Sequence, residues 1–227
     1  MGNEKLLLLA KVAGLTSSGI FSGYTWALSR ATVPAIVEYG SGDEAVMLAQ
    51  WRYQYVDGAA FSRPCCLVNA LSFGYLAYQG RAHHNDCYGN LGCRAEVIHE
   101  VVVLIHARLA GNVVTPNLRI PLQYLYIIAA IASASGVPWA LTLLRRTNGA
   151  LSIRSKRLAG PYNDPISQPL CITYASHEQG AMKRESDDPK YKTAKALINR
   201  WKWHNDLRTA LLILGTIVGA IAVVLDL

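Results

Sequence analysis

Four long apolar stretches constrain the fold of this chain more than any other feature of the sequence. They lie at about residues 6–28, 59–78, 120–144 and 207–225. A helix needs roughly 20 apolar residues to cross the hydrocarbon core of a bilayer, and each stretch is about that long. The sequence therefore predicts one all-α domain over residues 1–227, an integral membrane four-helix bundle.

The overall composition agrees with a membrane protein. Hydrophobic residues make up 52% of the chain and charged residues only 16%, which is too apolar for an ordinary soluble domain. Lys11 and Arg63 lie within the first two stretches, near enough to an end for their long side chains to reach the headgroups. The net charge is +7, but no basic stripe interleaved with aromatic residues indicates nucleic acid. The expected partner is the lipid bilayer.

Two further segments complete the predicted architecture. The apolar stretch at 97–110 is too short to span and contains four ionisable residues, so we interpret it as an extra short interfacial helix. Residues 154–191 are rich in Pro, Ser, Asp and Lys without apolar periodicity. This composition predicts a long, mobile polar loop, with helix resuming near Tyr191 and leading into the last span.

The distribution of positive charge predicts the orientation. Thirteen of the 22 Lys and Arg residues lie between positions 145 and 208, whereas four lie between 81 and 119. Since basic loops stay on the cytoplasmic side, the third loop should be cytoplasmic, in a protein of the endoplasmic reticulum or a related endomembrane. Cys87 and Cys93 would then face the lumen, where a disulfide is possible. The cysteine spacing predicts no metal site.

Small-residue motifs indicate close helix contacts. Gly19 and Gly23 in the first span, and Gly215 and Gly219 in the fourth, each form a GxxxG pattern. Such residues let helix backbones approach one another in membranes. Contacts within the chain are the favoured explanation, and homo-oligomerisation is the alternative.

The strongest functional signal is a polar face at the start of the last span. Trp201, Asn205 and Arg208 are spaced i, i+4 and i+7, which places them on one side of a helix. Unpaired polar groups are costly where a helix enters a membrane, so these residues should either lock helices together or hold a polar ligand.

Two other blocks should lie on the same side of the membrane. Trp51 and Tyr55 precede the second span with the same i, i+4 spacing, and Thr147 and Asn148 follow the third. The charge argument places both blocks on the cytoplasmic side together with Trp201. An aromatic belt at the interface explains Trp51 and Tyr55 equally well, whereas a stacking slot for a planar ligand would use the same side chains.

These blocks, in this order, carry a resemblance to a known family. They are Gly23 with Ala31-Thr-Val-Pro34, Gln50-Trp-Arg-Tyr-Gln-Tyr-Val-Asp-Gly58, Val137-Pro-Trp followed by Thr147-Asn148, and Arg200-Trp201 with Asn205 and Arg208. The chain resembles the small four-span membrane proteins that include the fungal anthrone oxygenases. The resemblance covers the spans and their flanks. This chain has Arg146 where the family usually has proline.

The resemblance implies a specific oxidation. Anthrone oxygenases convert the central methylene of a tricyclic polyketide anthrone to a quinone carbonyl with O₂ in secondary metabolism, without metal, haem or flavin. Such chemistry needs a base, a donor to the enolate oxygen and a flat apolar slot. We assign His204 as the base and Asn205 and Arg208 as donors.

The substrate would then contact a second set of residues, namely Trp51, Tyr55, Thr147, Asn148 and Trp201. Other interpretations remain open for several of these positions. His204 points about 100° away from Asn205 on a helix and is also typical of an interfacial histidine beside Trp203. Arg208 and Asn205 could equally form a helix-locking cluster with Asn148 or Thr147.

The rival class is a non-catalytic tetraspan scaffold or partner-binding protein. Claudin-type proteins carry a cysteine pair in the first extracellular loop, whereas the candidate pair here lies in the second. A transporter would normally show repeats and more intramembrane charge. Phosphate-cradling, dinucleotide and HExxH motifs do not occur in the sequence.

Overall fold

The fold was analysed in a computed structural model that describes residues 2–39, 42–87, 121–158 and 176–226. Helices form every regular element in these ranges, which confirms the all-α class. The α-helices are α1 (Gly2–Ala27), α2 (Val33–Glu38), α3 (Glu44–Cys87), α4 (Leu122–Ala134), α5 (Gly136–Thr142), α6 (Arg145–Leu158), α7 (Ser176–Asp187) and α8 (Ala194–Leu225). A π-helical segment, Leu28–Thr32, joins α1 to α2, and a 3₁₀ turn, Pro189–Tyr191, precedes α8.

Two helical segments are long and apolar enough to cross a membrane. They are the continuous helix Glu4–Glu38 and α8, and they contain the first and fourth predicted spans. A third follows if α4 and α5, which meet at a 44° bend, count as one span. The long helix α3 contains the predicted second span but is less apolar than these segments, since Arg63 and the fully buried Asn69 interrupt its apolar run.

Helices α1, α3, α4 and α8 pack in a ring. Helix α1 contacts α3 and α8, and α4 contacts the same two helices from the other side. Phe21, Cys66 and Leu212 fill the middle of the bundle. A second apolar core, which includes Phe73 and Tyr126, fills the end that is distant from α6 and α7. The helices that contain the four predicted spans are therefore packed against each other.

The two GxxxG motifs have different surroundings. A Cβ atom built on Gly215 would lie 2.7 Å from the backbone nitrogen of Ser133 in α4, and one on Gly219 would lie 2.7 Å from the ring of Phe73. These two glycines allow α8 to approach its neighbours within the chain. A Cβ atom on Gly19 or Gly23 meets nothing within 4 Å, so the motif in α1 is not used for contacts within the described chain.

A row of hydroxyl groups connects α1 to α8. Ser18, Ser22, Thr25 and Ser29 recur every three or four residues along one face of the first helical segment and are buried. The hydroxyl groups of Ser18 and Thr216 lie 2.6 Å apart, and Thr216 also donates to Ser22 over 3.4 Å. Such hydrogen bonds hold helices together where apolar surroundings supply no competing water.

Lys11 makes an ion pair that its own helix does not reveal. Its Nζ atom lies 2.9 Å from Oδ2 of Asp226, just after α8. The Tyr126 hydroxyl in α4 donates to the same carboxylate over 2.9 Å. This cluster joins α1, α4 and α8 at the end of the bundle distant from α6.

The expectation of a polar loop over residues 154–191 is wrong for the residues that the structure describes. Helix α6 continues to Leu158, and α7 packs against it with Met182 buried beside Gly149. A single buried methionine among polar residues gives too little apolar periodicity to reveal a helix. The predicted return to helix is confirmed, since α8 begins at Ala194 with Thr193 as its N-cap.

The predicted interfacial helix at 97–110 and Cys93, one half of the candidate disulfide, lie outside the described residues.

Prolines lie at two of the irregular points in the helices. Pro34 has no N–H to donate to the carbonyl of Arg30, and just before it the Val33 N–H bonds to Leu28 O, one residue further back than in an α-helix. Pro138 likewise leaves the carbonyl of Ala134 without its α-helical donor at the bend between α4 and α5.

Candidate functional site

The polar motifs meet where the first half of α3, α6 and the first half of α8 converge. An apolar core that includes Leu48, Leu151, Leu197 and Ile198 holds these segments together with α2. All four of these side chains are fully buried. The blocks around Trp51, Asn148 and Trp201 were predicted to converge, and these contacts bring them together at one end of the bundle.

Three aromatic rings form a packed group at this end. Trp51 stacks on Tyr55 with ring centroids 5.3 Å apart and an angle of 17° between the planes. Trp201 meets Trp51 edge to face at 6.2 Å and 85°. The two tryptophans are 2% and 4% exposed, so they are core residues of this end of the bundle and not members of an exposed interfacial belt.

Asn148 links the three helices through its side-chain amide. Its Oδ1 atom accepts a hydrogen bond of 2.9 Å from Trp201 Nε1, and its Nδ2 atom donates to the Tyr55 hydroxyl over 3.4 Å. Both groups of the buried amide are therefore satisfied, as a buried polar group requires. The bonds fix the orientation of Tyr55 and Trp201 relative to α6.

Asn205 is fully buried and holds Arg208 in place. Its Nδ2 atom donates to the carbonyl of Thr25 over 3.2 Å and to the hydroxyl of Ser29 over 2.6 Å. Its Oδ1 atom accepts from Nη2 of Arg208. The amide is thus saturated by α1, the π-helical segment and Arg208, and it orients the guanidinium.

A cavity of about 50 Å³ lies beside the guanidinium. Four predicted site residues line it: Tyr55, Asn148, Trp201 and Arg208. The rest of its wall comes from Leu28, Gln54, Gly58, Ala59, Ser62, Ala140 and Leu144. A volume of this size holds a few water molecules and is small beside the roughly 300–1,000 Å³ of sites that enclose a drug-sized ligand.

Two other predicted residues contact the lining residues without lining the cavity themselves. Trp51 stacks on Tyr55, and Asn205 accepts a hydrogen bond from Arg208. Thr147 instead donates to Oε1 of Glu185 in α7 over 3.0 Å and does not line the cavity. The structure therefore brings together six of the eight predicted residues and directs Thr147 toward α7.

His204 lies next to this group but does not line the cavity. Its imidazole packs edge to face against Trp203 at 4.9 Å, and its buried Nδ1 atom has no hydrogen-bond partner among the described residues. The His204 carbonyl accepts a 3.2 Å hydrogen bond from Nε1 of Trp139 in α5. The orientation predicted from helix geometry, away from Asn205, agrees with this placement.

Sequence reasoning missed several residues that hold the site. Thr25 and Ser29 anchor Asn205, and their membership of the regular hydroxyl row of α1 was a readable signal. Trp139 ties α5 to α8. Glu185 accepts from Thr147 and lies 3.6 Å from Nη1 of Arg200, and nothing in the local sequence indicates that role.

Within the described ranges, no three or more His, Cys, Asp or Glu side chains are grouped to hold a metal ion. Comparisons of the chain with protein-family models, with curated proteins and with solved structures found no match.

Proposed function

We propose that this chain is a four-span membrane enzyme of the anthrone oxygenase type. It would oxidise the central methylene of a planar aromatic polyketide to a quinone carbonyl with O₂, in an endomembrane and with α6 and α7 on the cytoplasmic side. The observation that carries the proposal is the cavity in which a buried guanidinium, an amide and two aromatic side chains meet. These are the groups that an enolisable aromatic ketone requires.

The proposed reaction consumes one O₂ and releases one water. A base removes a proton from the methylene, and the resulting anion carries its charge largely on the carbonyl oxygen. The anion transfers one electron to O₂, and the carbon radical and superoxide combine to form a C–O bond. The hydroperoxide, once protonated, loses water and leaves the new carbonyl.

Arg208 and Asn148 supply the stabilisation that this anion needs. Preorganised donors in a site that excludes water are worth more than the same groups in solvent, and Asn205 already orients the guanidinium. Tyr55 and Trp201 offer aromatic faces to a planar ring. Because the cavity is small, only the oxygen-bearing edge of a tricyclic substrate fits, with the remaining rings between the helices and the lipid.

His204 is the proposed base. A neutral imidazole suits proton transfer near physiological pH. The methylene lies opposite the carbonyl on the central ring, and so at the opening of the cavity. The His204 side chain, which packs against Trp203, must therefore turn toward this opening when substrate binds. Replacement of His204 therefore tests this assignment separately from the donors.

The test is an oxidation assay with purified protein in a nonionic detergent. Emodin anthrone is incubated under air with wild type and with Arg208→Ala, Asn205→Ala and His204→Ala. Asn199→Ala is the matched control, since Asn199 is an exposed asparagine on the same helix. Wild type and the control should form quinone above the spontaneous rate, and the other variants should lose most of that excess. If folded wild-type protein forms quinone no faster than the spontaneous reaction, the proposal is disproved.

A non-catalytic scaffold is the second candidate, and the free face around Gly19 and Gly23 favours it. Small residues on an outer helix face permit contact with a helix of another chain. Such a protein would not oxidise the anthrone, but Gly19→Leu would disrupt its oligomer in cross-linking experiments. The oxidation assay and the cross-linking experiment thus separate the two functions.

A further inference from the structure

The geometry points to a cavity that also binds aromatic ligands which are already oxygen anions, with Arg208 as their counter-charge. The inference rests on the proposed function in taking the cavity as the ligand site. It does not require that the ligand is oxidised. It extends the proposed function from the transient anion of the reaction to aromatic ligands that carry a charged oxygen before they bind.

The surroundings of Arg208 support this charge state. The side chain is 8% exposed and lines the cavity, and Nη2 is used by Asn205 while Nε has no partner among the described residues. A guanidinium in a protein keeps its charge. Asn205, its only hydrogen-bond acceptor among the residues that the structure describes, is neutral and is itself held by Thr25 and Ser29.

Other cations of this chain are differently placed. Four of them pair with a carboxylate at distances of 2.7–3.6 Å, namely Lys11 with Asp226, Arg157 with Asp187, Arg200 with Glu185 and Lys202 with Asp206. In the described part of the chain, no carboxylate lies within ion-pair distance of Arg208. A buried charge without a counter-ion is expensive, and a bound anion would remove that cost.

The shape of the cavity indicates the kind of anion. A guanidinium binds flat oxygen anions such as carboxylates through parallel hydrogen bonds, and an enolate or phenolate oxygen would use the same donors. Tyr55 and Trp201 provide aromatic surfaces beside it. The volume of about 50 Å³ accepts the charged edge of a ring and leaves the ring itself at the opening. The ligand class is therefore an aromatic acid, phenolate or enolate.

Benzoate and benzamide test the inference, since they have nearly the same shape and differ in charge. Each is titrated against the purified protein in nonionic detergent under argon, with tryptophan fluorescence and the thermal unfolding midpoint as readouts. Benzoate should bind at least about 10-fold more tightly than benzamide. Arg208→Gln should weaken benzoate by about 10- to 100-fold, the loss of one hydrogen bond to a charged group, with little effect on benzamide.

Lys195→Gln is the matched control, because it removes one positive charge from an exposed site on the same helix. It should leave both affinities unchanged. If Arg208→Gln does not fold, Arg208→Lys replaces it and should bind benzoate more weakly while still preferring it to benzamide.

Three results would overturn the inference: equal binding of acid and amide, a preference that survives Arg208→Gln, or no binding of either compound. Chloride and inorganic phosphate are titrated in parallel. Protection by these ions equal to that by benzoate would show a site for any small anion and refute the aromatic class. The binding titrations are made without O₂, so they do not depend on the oxidation assay. A protein that binds benzoate as predicted but does not oxidise anthrone would contradict only the proposed function.

Discussion

Asn205→Ala should lower the free energy of unfolding more than replacement of an exposed polar residue on α8. The amide makes three hydrogen bonds, to the Thr25 carbonyl, to the Ser29 hydroxyl and from Arg208. Hydrogen bonds between helices in membranes contribute about 0.6 kcal/mol on average, and those to a charged group about 1.5–3 kcal/mol. Together they predict a loss of about 3 kcal/mol in the free energy of unfolding.

The free energy of unfolding can be measured in mixed micelles by titration with a denaturing detergent, with tryptophan fluorescence as the signal. Asn199→Ala is the control, because its side chain is exposed on the same helix, and it should change the value by less than about 0.5 kcal/mol. A second comparison uses Ser29→Ala alone and combined with Asn205→Ala. The two losses should not add, since the two residues share a bond. A loss for Asn205→Ala no larger than that of the control, or strict additivity, would refute the predicted anchor.

Two further predictions concern packing and pH. Gly215→Ala should lower the free energy of unfolding by about 1–3 kcal/mol, as expected for overpacking, because the new methyl meets the α4 backbone at 2.7 Å. Gly19→Ala places its methyl in open space and should not lower the free energy of unfolding. Equal effects of the two variants in the same unfolding titration would contradict the assigned helix contacts. The hydrogen bond from Arg157 lowers the pKa of Asp187 in the folded protein. The pair therefore stabilises the α6–α7 contact fully at pH values above the pKa of this carboxyl in the unfolded chain. That contribution is lost as the pH falls through the lower pKa of the folded protein. Acid should therefore destabilise wild type more than Asp187→Asn, and identical pH profiles below pH of about 4 would argue against the pair.

Much of the site was predictable because its residues follow helical spacing. The i, i+4, i+7 positions of Trp201, Asn205 and Arg208 fall on one buried face of α8. Tyr55 and Asn148 do lie near this face, since Asn148 accepts a hydrogen bond from Trp201 and donates one to Tyr55. The side of the membrane that the charge asymmetry assigns to these residues stays a prediction.

The missed features depend on contacts between residues far apart in the chain. Whether Asn205 locks helices or binds a ligand could not be read from its own helix, since its partners Thr25 and Ser29 lie about 180 residues earlier. The helix α7 was missed because one methionine carries its packing. Lys11 was interpreted as reaching for headgroups because the sequence does not reveal that Asp226 lies beside it.

The positions of the helix interruptions determine how this site can change shape. Helices α3 and α8 are continuous over 44 and 32 residues, about 66 and 48 Å at helical rise. The first helical segment changes to π-helix at Leu28–Thr32, and the third bends by 44° at Ser135. Leu28 in the π-helical segment and Ala140 in α5 line the cavity. The cavity therefore lies between two uninterrupted helices and two segments whose helical hydrogen bonding is irregular. We expect any widening of the cavity to occur at these two segments, while the glycine contacts and the Lys11 ion pair at the opposite end remain.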